Sequence, residues 1–89
     1  MVILNNTSVK LCRAGSCCVL VEKINEDEFR FTDDYGSSVV MTKSELSSIQ
    51  FIFEDNDKFS ISDRYGKKVI FTKEEKDIFE TDTKKHFNI

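Results

Sequence analysis

Carboxylates are the side chains in this chain most able to do chemistry, and they are clustered. Two short segments, Asn25-Glu26-Asp27-Glu28 and Glu54-Asp55-Asn56-Asp57, carry six of them: Glu26, Asp27, Glu28, Glu54, Asp55 and Asp57. Asp33 and Asp34 follow the first group within a few residues, and Glu74, Asp77 and Glu80 lie near the C-terminal end. Paired carboxylates divide the roles of general acid and general base only where burial or a neighbour raises the pKa of one of them. Segments this rich in Asn, Asp and Glu read as solvated turns, where nothing supplies that shift. The chemistry they suit is electrostatic attraction of a cationic partner, through Glu26, Asp27, Glu28, Glu54, Asp55 and Asp57, helped by Asp33, Asp34, Glu74, Asp77 and Glu80.

Other chemistries find little support. His86 is the lone histidine, and its place near the C-terminal end reads as a half-buried helix position. Cys12, Cys17 and Cys18 are an odd number, with no second pair or His positioned to complete a zinc site, so they read as small buried hydrophobes. No Gly-rich phosphate loop, nucleophile elbow or paired-His motif is present, which argues against an enzyme and against any cofactor or metal. Sixteen acids against 13 bases give a formal charge of −3, which disfavours direct nucleic-acid binding and favours a basic protein partner. No apolar run is long enough for a membrane span or a signal peptide, so a cytoplasmic location is expected.

The elements that must position the acids come in two copies. Phe29 to Glu45 recurs thirty positions later as Phe59 to Glu75, with eight of seventeen positions identical: Phe29/Phe59, Asp33/Asp63, Tyr35/Tyr65, Gly36/Gly66, Val39/Val69, Thr42/Thr72, Lys43/Lys73 and Glu45/Glu75. Identity this dense at constant offset marks an internal duplication, spanning about 19–49 and 50–86. Each copy reads strand, acidic turn, strand, Tyr-Gly turn, strand, helix, the first copy opening with a strand at 17–24, and an N-terminal hairpin of strands at 2–4 and 8–12 is added. Gly36 and Gly66 are expected to take positive φ, with Asp33 and Asp63 accepting backbone hydrogen bonds inside the turn. Tyr35 and Tyr65 are expected to lean on the sheet. Thr42 with Glu45, and Thr72 with Glu75, have capping-box spacing, so a short helix is expected from Lys43 to about Ser48 and a longer one from Lys73 toward Lys85.

At 89 residues the copies must share one core. The expected fold is therefore a single α+β domain over 1–89. Its duplicated antiparallel meanders would form one curved sheet or small open barrel, with a short helix after the first unit and a longer C-terminal helix. If the copies bring their acidic turns to a common rim, the carboxylates gather into one or two negative patches on a scale comparable with DNA phosphates. An exposed apolar patch along Phe51-Ile52-Phe53 would point instead to a purely structural interaction subunit. A homodimer is compatible with any of these readings.

Small size, acidity, the lack of catalytic residues and an Asn/Asp/Lys/Phe-rich composition resemble the small acidic DNA-mimic proteins by which bacteriophages block host DNA-binding proteins, histone-like nucleoid proteins among them. That resemblance implies an inhibitor acting in the host cytoplasm. A second resemblance rests on Val9 to Val21. Its Arg13-Ala14-Gly15-Ser16 core, followed by an apolar strand, is similar to the start of the swapped-hairpin antitoxin and transition-state regulator family, which implies a DNA-binding dimer. Val21-Glu22-Lys23 departs from that family's pattern, which has Pro and Lys after the strand.

Overall fold

The computed structural model describes residues 1–11, 19–33 and 35–89. Cys12, Cys17, Cys18, Asp34 and the Arg13–Ser16 turn lie outside the described residues, as does most of the segment similar to the antitoxin family. The chain is α+β. Strands β1 (Val2–Asn5), β2 (Ser8–Lys10), β3 (Leu20–Lys23), β4 (Glu28–Thr32) and β5 (Ser38–Thr42) form one antiparallel sheet in sequential order. Helix α1 (Lys43–Ser47) leads to a second, of β6 (Ile52–Phe53), β7 (Lys58–Ser62) and β8 (Lys68–Thr72). The C-terminal helix then runs through α2 (Lys73–Ile78), a π-helical turn (Phe79–Thr83) and α3 (Lys84–Phe87).

Period-two patterning sets the core face. In the first sheet, register aligns Ile3, Val9, Val21, Phe31 and Val39 in one row across all five strands. In the second, Phe53, Phe59 and Phe71 form a row beside Ile61 and Val69, the equivalents of Phe31 and Val39. Side chains on one face of paired strands stand opposite one another, so each row is a continuous apolar stripe. The C-terminal helix closes over both stripes: Phe79 packs on Phe31 at 5.4 Å and on Phe71 at 6.3 Å, and Phe87 on Phe29 at 5.3 Å between ring centroids. Leu11, Val19, Met41, Leu46, Ile61 and Val69 complete the shared core.

The local expectations hold at the turns and caps. Gly36 and Gly66 have φ of 83° and 81°, where a side chain would be strained. Asp33 Oδ1 accepts from the Tyr35 and Ser37 amides, and Asp63 Oδ1 from Tyr65 and Lys67. Both capping boxes are formed, with the Thr hydroxyl accepting from the Glu amide and the Glu carboxylate accepting from the Thr amide.

Three features differ from expectation. The strands are divided between two sheets instead of forming one: β5 and β8 are neighbours, and the outward N–H of Ile70 on β8 donates to Asp33 Oδ2 at 3.0 Å instead of to a strand. A ladder bond there is replaced by a carboxylate bond between the units. His86 is exposed and Phe87 is buried in its place. The π turn is wider than an α turn and sets the helical phase back by about one residue, which brings Phe87 into line with Phe79. Tyr35 and Tyr65 are exposed, at 66 % and 75 %, and do not pack into the sheet.

Candidate functional site

The six turn carboxylates occupy two different kinds of turn. In the first, the Asn25 side-chain oxygen accepts from the Asp27 and Glu28 amides, and its NH₂ donates to Glu28 Oε1 at 2.8 Å. Glu26 pairs with Lys23 at 3.6 Å. In the second, Asn56 and Asp57 take left-handed φ of 49° and 59°, and the Lys58 amide closes the turn on the Asp55 carbonyl. Glu54 folds back over its own sheet, accepting from Ser60 Oγ at 2.9 Å and pairing with Lys68 at 3.3 Å. These contacts hold the Glu54 carboxyl below its ordinary pKa, the Ser60 hydrogen bond first and Lys68 next.

Each turn also docks on the helix that follows its own unit. The Asp27 carbonyl accepts from the Lys43 amide, and the Asp57 carbonyl from the Lys73 amide, at the first residue of α1 and α2 respectively. Donors that a helix start leaves open are thereby satisfied, and the turns are fixed in place.

The units pack head to tail. Tyr35, from the Tyr-Gly turn of the first unit, meets Lys58 at the acidic turn of the second. Conversely Arg64, from the second Tyr-Gly turn, pairs with Glu45 at 2.8 Å beside the first acidic turn. The first acidic turn therefore lies at one end of β4 and the second beside the other end, separated by roughly the 15 Å that a five-residue strand spans. They form two negative sites, not one continuous row. Among the remaining candidates, Asp33 is buried and committed to backbone donors, and Glu80 pairs with Lys76 at 3.2 Å. Glu74 and Asp77 border an open cleft with Lys73, Asp82 and Met1, where charge is mixed.

One junction combines carboxylates with shape. A cleft of about 340 Å³ opens between the units, with Ile70 as its apolar floor, the Tyr35 ring as one wall and Glu54, Asp55 and Lys58 at its rim. Lys58 Nζ donates to Tyr35 Oη at 3.0 Å and stands 5.5 Å from the ring centroid. The phenol oxygen first, and Asp55 less strongly, raise the Lys58 pKa. The ammonium is thus held at the phenol oxygen, beyond the hydroxyl end of the ring, with the Asp55 charge near by. Tyr35 was not among the residues singled out for binding. The signal that could have found this junction is Lys58, which stands where the first unit has Glu28, a reversal of charge between equivalent positions.

No group of His, Cys, Asp and Glu able to hold a metal ion occurs among the described residues. No helix among them is long and apolar enough to cross a membrane. No protein-family model, curated protein or solved structure matches the chain.

Proposed function

We propose that this chain is a non-enzymatic protein-binding module that takes a basic side chain of a protein partner into the cleft between Tyr35 and the Glu54–Lys58 turn. The observation that carries this reading is the Lys58 ammonium already seated against Tyr35, an internal stand-in for a partner's Lys or Arg. Asp55 lines the cleft, Asp57 lies two residues on in the same turn, and the net charge of −3 favours the approach of cations to the chain as a whole. A DNA-binding protein's phosphate-contacting face is the class of surface that such a site would cover, with a histone-like nucleoid protein as the leading candidate and inhibition by occlusion as the outcome.

Titrating the ¹⁵N-labelled full chain with an arginine-rich peptide tests the site. Amide shifts are expected at Tyr35, Asp55, Lys58 and Ile70, and binding is expected to weaken as salt screens the charges. Asp55→Lys combined with Asp57→Lys should abolish the shifts, whereas Glu26→Lys with Asp27→Lys should leave most of them. Shifts centred on the first acidic turn, or indifference to the second reversal, would remove the cleft from the interface. With a histone-like nucleoid protein bound to DNA, the chain should release the DNA without shifting DNA itself in a gel.

A specific observation favours a second reading, a structural interaction subunit: Ile52 and Phe53 on edge strand β6 are 55 % and 61 % exposed. Ile52→Ser with Phe53→Ser separates the two, since it should leave peptide binding unchanged and disrupt only assembly through β6.

A further inference from the structure

The two sheets have four edges, and three of them are occupied or short. The edges of β5 and β8 face each other across the bond from the Ile70 amide to Asp33, and β6 is two residues long with the Phe53 ring packed at 5.6 Å on Phe59. Strand β1 remains. It is the terminal strand of the five-stranded sheet, with Ile3 58 % and Leu4 49 % exposed. From Val2 to Ser8 the sequence carries no charged side chain and no Pro, so the usual devices that prevent edge pairing are missing, apart from an irregularity in register between Ile3 and Asn5. The edge is also held in place, because Thr83 Oγ donates to Met1 Sδ at 3.3 Å from the C-terminal helix.

The geometry points to β1 as a self-association edge that pairs antiparallel with β1 of a second copy, Ile3 opposite Ile3, to make one continuous ten-stranded sheet. Register carries this assignment. Ile3 is the last member of the core-face row Val39, Phe31, Val21, Val9, Ile3, and that row ends in solvent. A twofold axis at Ile3 continues it into the same row of the second copy and sets Val2 opposite Leu4, so apolar side chains meet on both faces. An uncharged strand meets its own copy without like-charge repulsion, and a twofold contact closes at two chains. A pairing this short falls below the roughly 1,200 Å² that stable interfaces bury, so the dimer belongs to the weak class. Because β1 is at the opposite edge of its sheet from β5, the dimer would present two partner clefts facing away from the new contact.

Sedimentation equilibrium of the full chain, from about 10 to about 500 µM to span weak association, should show the mass rising from 10.3 kDa toward twice that value. Ile3→Lys and Ile3→Glu should each be monomeric with an unchanged circular dichroism spectrum. An equimolar mixture of the two should restore the dimer, since opposite charges then face each other across the axis, and Phe53→Lys should leave the wild-type dimer intact. A wild-type chain that stays monomeric throughout, a dimer that survives Ile3→Lys, or variants that do not recombine on mixing would each overturn the proposal. Loss of binding to the arginine-rich peptide in Ile3→Lys, with wild type monomeric, would assign the edge to another partner and overturn it as well.

Discussion

Asp33 and Asp63 occupy the same position in the two units and accept the same pair of turn amides, yet only Asp33 reaches a third donor, the Ile70 amide of the other unit. Removing a buried acceptor leaves its donors unsatisfied, at about 1–3 kcal/mol for each group that water cannot reach. Asp33→Ala is therefore expected to cost about 3 kcal/mol and Asp63→Ala about 1 kcal/mol, the difference reporting the bond between units. Urea denaturation of both variants measures it, and equal losses would show that the Ile70 bond adds nothing. Glu45 and Glu54 set the pH response. Both carboxyls are held below the ordinary value of 4.5, Glu45 first by the Thr42 amide and then by Arg64. A depressed carboxyl contributes stability that is fully present above the unfolded-state pKa and is lost as pH falls through the folded-state value. Urea midpoints should thus be level near neutral pH and decline below about 4.5, with Glu45→Gln and Glu54→Gln each flattening that decline.

At the scale of elements, helix α1 has only five residues, too few to persist alone, and it exists because both ends of its first turn are tied down. Glu45 accepts from the Thr42 amide and pairs with exposed Arg64. Its equivalent, Glu75, is buried and accepts from both the Thr72 amide and the Val19 amide, 56 residues away in sequence. Alanine at Glu75 strands a buried backbone donor, so it should destabilise by about 2–3 kcal/mol, against about 1 kcal/mol at Glu45, where water replaces the lost partners. Thermal melts of the two variants discriminate, and equal shifts would deny the Val19 contact its role. These elements were legible because their signals are local: Thr-x-x-Glu names a helix start, and Asp-x-Tyr-Gly names a turn. The π turn was not. Phe79-Glu80-Thr81-Asp82-Thr83 holds no Gly or Pro to announce it, and its width follows from the need to bury Phe79, Thr83 and Phe87 together. His86 was misplaced for that reason alone.

On the scale of the whole molecule, the duplication was plain in the sequence but the relation between its copies was not. Identical residues describe what each unit does for itself, while orientation is fixed where the units differ: Arg64 against Asp34, and Lys58 against Glu28, supply the contacts to Glu45 and Tyr35. Head-to-tail packing splits the acids into two sites and forms the Tyr35–Lys58 cleft at a junction that neither copy contains. The same packing makes the units inseparable, because Phe31 of the first meets Phe71 at 6.1 Å and Phe79 at 5.4 Å, and Phe29 meets Phe87. A fragment of residues 50–89 would expose this aromatic face and lose Asp33 and the Val19 amide as partners, and chains near 40 residues seldom sustain a core unaided. It should be unfolded in isolation, with collapsed amide dispersion by NMR. The full chain should melt in one transition, with circular dichroism and methyl resonances changing together. Phe79→Ala, at the contact of both sheets with the helix, should lower stability by about 3–5 kcal/mol and bring both sheets down at once. A fragment that folds, or sheets that melt separately in Phe79→Ala, would mean that two domains share a boundary and not a core.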